Sequence, residues 1–212
     1  GLDRQRADDT YELRANFANI GGLKPRARVT MAGVTVGRVE SIELDTEFYD
    51  AVVVMSLDSS LAGKLPDDVL IVVVLKGSFV FAADLLRALD RAGMRPRVDF
   101  ITLSSYGTRT ESSGNVELKR DISEDVRGRS VLIVDDILDS GRTLAFATDL
   151  MTARGAESVH TCVLLDKHEK REVSIEADYV GFPVEDLFVV GYGIDMAHLF
   201  RSLPFIGVVR RD

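Results

Sequence analysis

Residues Val131 to Leu144 read VLIVDDILDSGRTL. Four apolar residues run into Asp135 and Asp136, a third acid follows at Asp139, and Ser140, Gly141, Arg142 and Thr143 come next. Adjacent carboxylates repel, so a chain does not set them at the end of a buried strand for stability. A helix beginning near Arg142 turns free backbone N–H groups toward its own start, which makes an anion site. Ser140 and Thr143 add hydroxyls, and Gly141 allows close approach. That set suits one terminal phosphate. It is not the P-loop pattern, because no Gly-Lys-Ser/Thr follows a spaced glycine. Asp135 and Asp136 suit two sugar hydroxyls or the water shell of Mg²⁺. A phosphate loop beside such a clamp describes a ribose 5-phosphate site. The plainer alternative is that the acids only cap the helix, with Asp139 as N-cap.

The elements that must position these residues alternate after Pro66. Strands are read at 69–75, 98–103, 131–134, 158–165 and 187–190. Helical spacing covers FVFAADLLRALDRAG, ending at Gly93, and RTLAFATDLMTARGA, ending at Gly155. The strands are continuously apolar, which predicts a parallel sheet covered by helices on both faces. In such α/β folds ligands sit beyond the carboxyl ends of the strands. Five turns converge there: LKGS, SSYGTRTESSGN, DDILDSGRT, DKHEK and GYGIDM. ESSGNVELKRDIS reads as a mobile loop followed by a hairpin arm.

From Thr10 to Leu57 the texture is all-β. TYELRANF alternates, ARVTMAGVTVGRVESIEL is β-branched and broken by Gly33 and Gly37, and DAVVVMSL is a third apolar run. The texture changes near GKLPDD, so two units are expected, 1–67 and 68–212.

Composition narrows the function classes. The 212 residues carry a net charge of −8, which argues against a general nucleic-acid binder. The single cysteine, Cys162, excludes an intrachain disulfide framework and fits a reducing, cytoplasmic compartment. It sits in HTCVLLD and reads as a buried structural thiol. No segment reaches the roughly 20 apolar residues of a membrane span, and the N-terminus has no signal-peptide core. His160, His168 and His198 have no metal-ligand spacing.

VLIVDDILDSGRT resembles the phosphoribosyl-pyrophosphate signature of the purine phosphoribosyltransferases. VLKGSFVFAADLLRAL, VDFITLSSYG, ADYVGFPVEDLFVVGYGID and FRSLPFIGVV are similar, in order and spacing, to the 6-oxopurine enzymes of hypoxanthine or hypoxanthine-guanine type, over about Asp68 to Val209. The resemblance implies a type I phosphoribosyltransferase fold, a Rossmann-like parallel α/β sheet with a small hood. It also implies a set of roles. Lys76 and Gly77 lie in the pyrophosphate loop, with a cis peptide at Leu75–Lys76. Ser105 and Tyr106 open the loop that closes over the reaction. Asp135 and Asp136 take the ribose hydroxyls and the metal hydration shell, and Asp195 ligates Mg²⁺. Asp139 is the general base or acid near N7 of the purine. Ser140, Gly141, Arg142 and Thr143 bind the 5-phosphate. Lys167 donates to the 6-oxo group, Phe188 stacks on the purine, Val189 reads its edge through the backbone, and Arg201 contacts pyrophosphate. A purine base and phosphoribosyl pyrophosphate are the implied substrates, and a homo-oligomer, dimer or tetramer, is the implied assembly.

YELRANFANIGGLKPRARVTMAGVTVGRVESIEL resembles the MCE domain of bacterial phospholipid-transport proteins, over about Thr10 to Asp68. The resemblance implies a partial all-β barrel segment, short of that domain's last strands and of its preceding membrane helix. It also implies a cell-envelope or periplasmic origin and, as an alternative function, phospholipid binding or transport with a passive C-terminal passenger. The enzyme-like part in turn lacks its family's first helix and the N-terminal strand of the hood. The chain therefore reads as a fusion, with the enzyme half favoured as the source of activity.

Overall fold

A computed structural model describes residues 10–17, 24–26, 28–31, 34–44, 51–58, 64–105 and 116–209. Four strands open the chain: β1 (Thr10–Phe17), β2 (Arg28–Met31), β3 (Val34–Leu44) and β4 (Ala51–Asp58). They pair antiparallel in the order β1-β4-β3-β2, as the alternating, β-branched sequence expects.

The rest is built on a second sheet. Its strands are β5 (Leu70–Leu75), β6 (Arg97–Ser105), β7 (Val116–Arg120), β8 (Ser130–Leu138), β9 (Ser158–Asp166) and β10 (Tyr179–Pro183). The order is β10-β9-β8-β5-β6-β7, parallel throughout except for β7, which returns antiparallel on β6 as a hairpin arm. The continuous apolar runs are explained by their two covered faces. Leu70, Val72, Val131 and Ile133 point to one side, against Leu144, Ala147 and Met151 of α2 (Arg142–Ala153). Val69, Ile71, Val73, Leu132 and Val134 point to the other, against Ala82, Leu85 and Leu89 of α1 (Phe79–Arg91). The period of two along each strand thus feeds both layers.

Both helices end the same way. Met94 N–H reaches Leu89 O and Gly93 N–H reaches Asp90 O after α1; Ala156 and Gly155 repeat the pattern on Met151 and Thr152 after α2. Gly93 and Gly155 supply the left-handed residue that this stop requires, with φ of 86° and 85°.

Two expectations change. The acid pair does not end a strand at Val134, because β8 runs on through Asp135–Leu138 and stays paired with β9 as far as Leu138 and Asp166. The run at 187–190 is not in the parallel sheet either. Val189–Val190 form β11, which pairs antiparallel with β12 (Gly207–Val208) in a separate ribbon. The fifth parallel strand is instead β10, YVGFP, whose glycine and proline conceal it in the sequence. Gly181 fits there because a Cβ would stand 2.6 Å from the Leu164 carbonyl on β9.

Candidate active site

The carboxyl ends of β5, β8 and β9 form one rim. At the first, the chain turns through Lys76, Gly77 and Ser78 into α1, and the Leu75–Lys76 peptide is cis. Lys76 is exposed, while Ser78 is fully buried and donates its hydroxyl to Val74 O. A Cβ on Gly77 would meet the Asp136 carboxylate, so the loop and the acid pair touch.

Asp135 and Asp136 are held rigidly. Asp136 N–H donates to Asp135 Oδ1, and Ile137 N–H to Asp136 Oδ1, each at 2.9 Å. Burial, then the charge of Asp136, pushes the Asp135 carboxyl well above its ordinary range. Burial raises Asp136 too, against its hydrogen bonds with Asp135 and the Ile137 N–H and, least, the nearby charge of Arg201. A buried acid pair of this kind is a site that favours an incoming cation or a pair of hydroxyl donors.

The turn from β8 into α2 follows. α2 starts at Arg142, as expected, but its N-cap is Gly141 at φ 87°, with no side-chain cap. Asp139 therefore does not cap the helix, and the first-turn N–H groups are left for a ligand; that of Arg142 has only a long 3.4 Å contact with Ser140 Oγ. Gly141 is required by space as well as by φ, since a Cβ would meet Ile175 at 2.8 Å and Arg171 at 3.0 Å. Thr143 lies half-buried in the first turn. The Arg142 side chain turns away, its Nε 2.6 Å from Glu172 Oε2, so it offers the loop its backbone and not its charge.

Asp139 and Lys167 stand at neighbouring strand ends. Lys167 N–H donates to Leu138 O at 2.9 Å. The Lys167 side chain is buried, and Asp139 Oδ1 is buried with no hydrogen-bond partner. A buried, unsatisfied carboxylate oxygen costs stability and marks a place for a donor.

The hood closes the rim. Its turn at 191–194 reaches back to the first loop, because a Cβ on Gly193 would stand 2.2 Å from Gly77 O. Arg201 donates to Gly193 O at 2.6 Å and pairs with Asp195 Oδ1 at 2.7 Å, and Asp195 Oδ2 accepts from His198 N–H at 2.7 Å. Lys76, Gly77, Asp136, Asp195 and Arg201 are thereby brought to one end of the site. Phe188 is 43% exposed, free to stack and not core. Val209 N–H donates to Phe188 O, which places Val189 at the non-hydrogen-bonded position of its ribbon, its backbone turned away from β12. Ser105 closes β6, and Tyr106 lies outside the described residues.

No three Asp, Glu, His or Cys side chains converge to chelate a metal directly among the described residues. The acid pair fits a Mg²⁺ held through its water shell, and Asp195 is paired with Arg201 at the same end of the site.

Sequence reading missed the groups behind these side chains. Asp166 is buried and pairs with the half-buried Arg171, and Tyr192 OH donates to Asp84 of α1 across 108 positions. A hint of the first was present: Asp166 directly continues a buried apolar strand.

A family model described as phosphoribosyl transferase domain matches residues 49–197. This chain belongs to the phosphoribosyltransferase family. A second model, described as MlaD protein, matches residues 9–84, so the fusion read in the sequence holds. Among phosphoribosyltransferases, the hypoxanthine phosphoribosyltransferase of Escherichia coli K12 is 45% identical over 142 residues, 67% of this chain and 78% of that one. The bifunctional protein TilS/HprT of Listeria innocua is 50% identical over 156 residues, 74% of this chain; the match spans only 23% of that longer protein. A crystal structure of a hypoxanthine-guanine phosphoribosyltransferase from Bacillus anthracis superposes with a TM-score of 0.65 at 44% identity, covering 72% of this chain and 91% of that one. The fold is that of the type I phosphoribosyltransferases. No helix among the described residues is long and apolar enough to cross a membrane.

Proposed function

We propose that this protein transfers the phosphoribosyl group of phosphoribosyl pyrophosphate to a 6-oxopurine, hypoxanthine or guanine, giving IMP or GMP and pyrophosphate. One observation carries the reading. A buried amine, Lys167, and a buried carboxylate oxygen without a partner, on Asp139, stand at adjoining strand ends joined by the Lys167 N–H to Leu138 O bond. A 6-oxopurine presents an acceptor at the 6-position beside N7, which this pair complements.

Each group then has a task. The N–H groups at the start of α2, with Ser140 and Thr143, hold the 5-phosphate. Asp135 and Asp136 accept from the ribose hydroxyls. The Lys76–Gly77 loop and Arg201 hold the pyrophosphate end, where positive charge stabilises the departing group. Phe188 stacks on the purine, and Lys167 donates to its 6-oxo oxygen. Asp139 takes the purine proton as the ring nitrogen bonds to the anomeric carbon and the bond to pyrophosphate breaks. Ser105 and Tyr106 belong to the segment that would shield the reacting carbon from water. Asp135 and Asp136, with Asp195, would hold Mg²⁺, which when bound would supply charge neutralisation at the pyrophosphate. A cytoplasmic setting and a dimer or tetramer belong to the same reading.

The test is calorimetric binding of phosphoribosyl pyrophosphate with Mg²⁺, followed by hypoxanthine addition and detection of IMP and pyrophosphate. Binding and both products are expected. No nucleotide at any enzyme concentration contradicts the reading.

A further inference from the structure

Arg171 lies in the charged stretch DKHEKRE, yet its side chain is only 13% exposed. Its guanidinium donates in three directions. Nε gives to Asp139 O at 3.1 Å, Nη1 to Ile175 O, and Nη2 to Asp166 Oδ1. Asp166 is 4% exposed and has His168 Nε2 at 2.9 Å from its second oxygen. A planar guanidinium offers five donors in a fixed fork, and a lysine ammonium could not span these acceptors.

Two of those acceptors belong to the ends of neighbouring strands. Asp139 follows β8 and is the proposed base. Asp166 closes β9 and immediately precedes Lys167, the proposed donor. N7 and the 6-oxo oxygen are neighbours on one purine edge, so base and donor must keep a fixed spacing to engage both. Beyond the strand pairing itself, the Lys167 N–H to Leu138 O bond in the backbone and the Arg171 fork in the side chains tie these strand ends together.

We infer that Arg171 is a positioning residue that sets the spacing of Asp139 and Lys167 and through it the selection of 6-oxopurines. Its guanidinium is taken up by acceptors of the protein. The inference rests on the function proposed above. The phosphate loop has its own support, because Ser140 O accepts from Glu172 N–H at 2.9 Å and Val173 N–H at 3.1 Å. Loss of the guanidinium therefore acts on the purine side before the phosphate side.

The experiment is steady-state kinetics of the wild type, Arg171→Met, Arg171→Lys and Asp166→Asn with hypoxanthine, adenine and phosphoribosyl pyrophosphate, each variant checked by thermal melt. In Arg171→Met the hypoxanthine KM should rise about 10- to 100-fold, the usual cost of misplacing a group by about 1 Å. The phosphoribosyl-pyrophosphate KM should move far less. The hypoxanthine-to-adenine ratio of kcat/KM should fall about tenfold or more. Asp166→Asn keeps one acceptor, puts an NH2 donor in place of the other, loses the charge and should shift the same way by less. If Arg171→Met does not fold, Arg171→Lys carries the same comparison, since it keeps the charge and loses the fork. A wild type that uses neither purine overturns the functional reading and this inference with it. An active wild type whose folded variants raise both KM values equally, with purine discrimination intact, overturns this inference alone.

Discussion

A Cβ on Gly77 would stand 1.7 Å from Oδ2 of Asp136. The Lys76–Gly77 loop and the acid pair, proposed to hold pyrophosphate and ribose, are therefore packed backbone against carboxylate, with no room for a methyl group. Gly77→Ala must push Asp136 aside or lift the loop. Affinity for phosphoribosyl pyrophosphate should fall about 10- to 100-fold, as measured by calorimetry, because a small displacement at a positioned site is costly. The fold should survive, since Lys76 beside it is exposed.

Asp139→Asn keeps size and polarity and removes the base. Turnover should drop about 10²- to 10⁴-fold, the usual contribution of general acid–base catalysis. Binding of phosphoribosyl pyrophosphate should change little. The pair of measurements, kcat and the calorimetric Kd, checks both halves.

Asp135 is buried against a like charge, and both effects disfavour its ionised form. Asp135→Asn removes that repulsion and keeps the oxygen that accepts Asp136 N–H. In metal-free buffer at neutral pH the variant should melt higher, by about 2–4 °C for each kcal/mol recovered. It should also bind phosphoribosyl pyrophosphate more weakly. Stability gained where affinity is lost identifies the acid pair as built for its ligand.

At the opposite end of the sheet, Arg154 forks onto Asp121 with N–O distances of 2.7 and 2.6 Å. Those bonds hold the Asp121 carboxyl below its ordinary value of 3.8, so the folded state releases the proton more readily than the unfolded one. Its contribution is present above that value and is lost as pH falls through the lower, folded value. The side chains are 32% and 44% exposed, so the gain is modest. Melting of Asp121→Asn should lie at most about 4 °C below the wild type at neutral pH. The gap should close in acid.

Much of this was legible because the chemistry sits in local sequence. Val131–Thr143 carries the strand, the turn and the helix start in consecutive residues, and the continuous apolar run at Leu70–Leu75 announces a strand buried on both faces. What escaped depends on distant partners. YVGFP looks like a breaker and becomes an edge strand because Gly181 lets it approach Leu164. Arg171 looks solvated among its charged neighbours until Asp166 and the Asp139 carbonyl close around it. The hood's link to α1 through Tyr192 and Asp84 has no local signature at all. The ribbon of Val189–Val190 with Gly207–Val208 depends likewise on a pairing that neither segment reveals alone.

The most direct test of the central claim is the ratio of kcat/KM for hypoxanthine over adenine, with saturating phosphoribosyl pyrophosphate and Mg²⁺. Lys167 offers a donor where a 6-oxopurine has an acceptor and adenine has another donor. Adenine would leave a buried cation unpaired and its own amino group unanswered, and sites built on such a bond reject the mismatched analogue by about 10⁴-fold or more. The account predicts ready use of hypoxanthine and a ratio of about that size, collapsing in Lys167→Met. Efficient use of adenine by the wild type, or a ratio near unity, would contradict it.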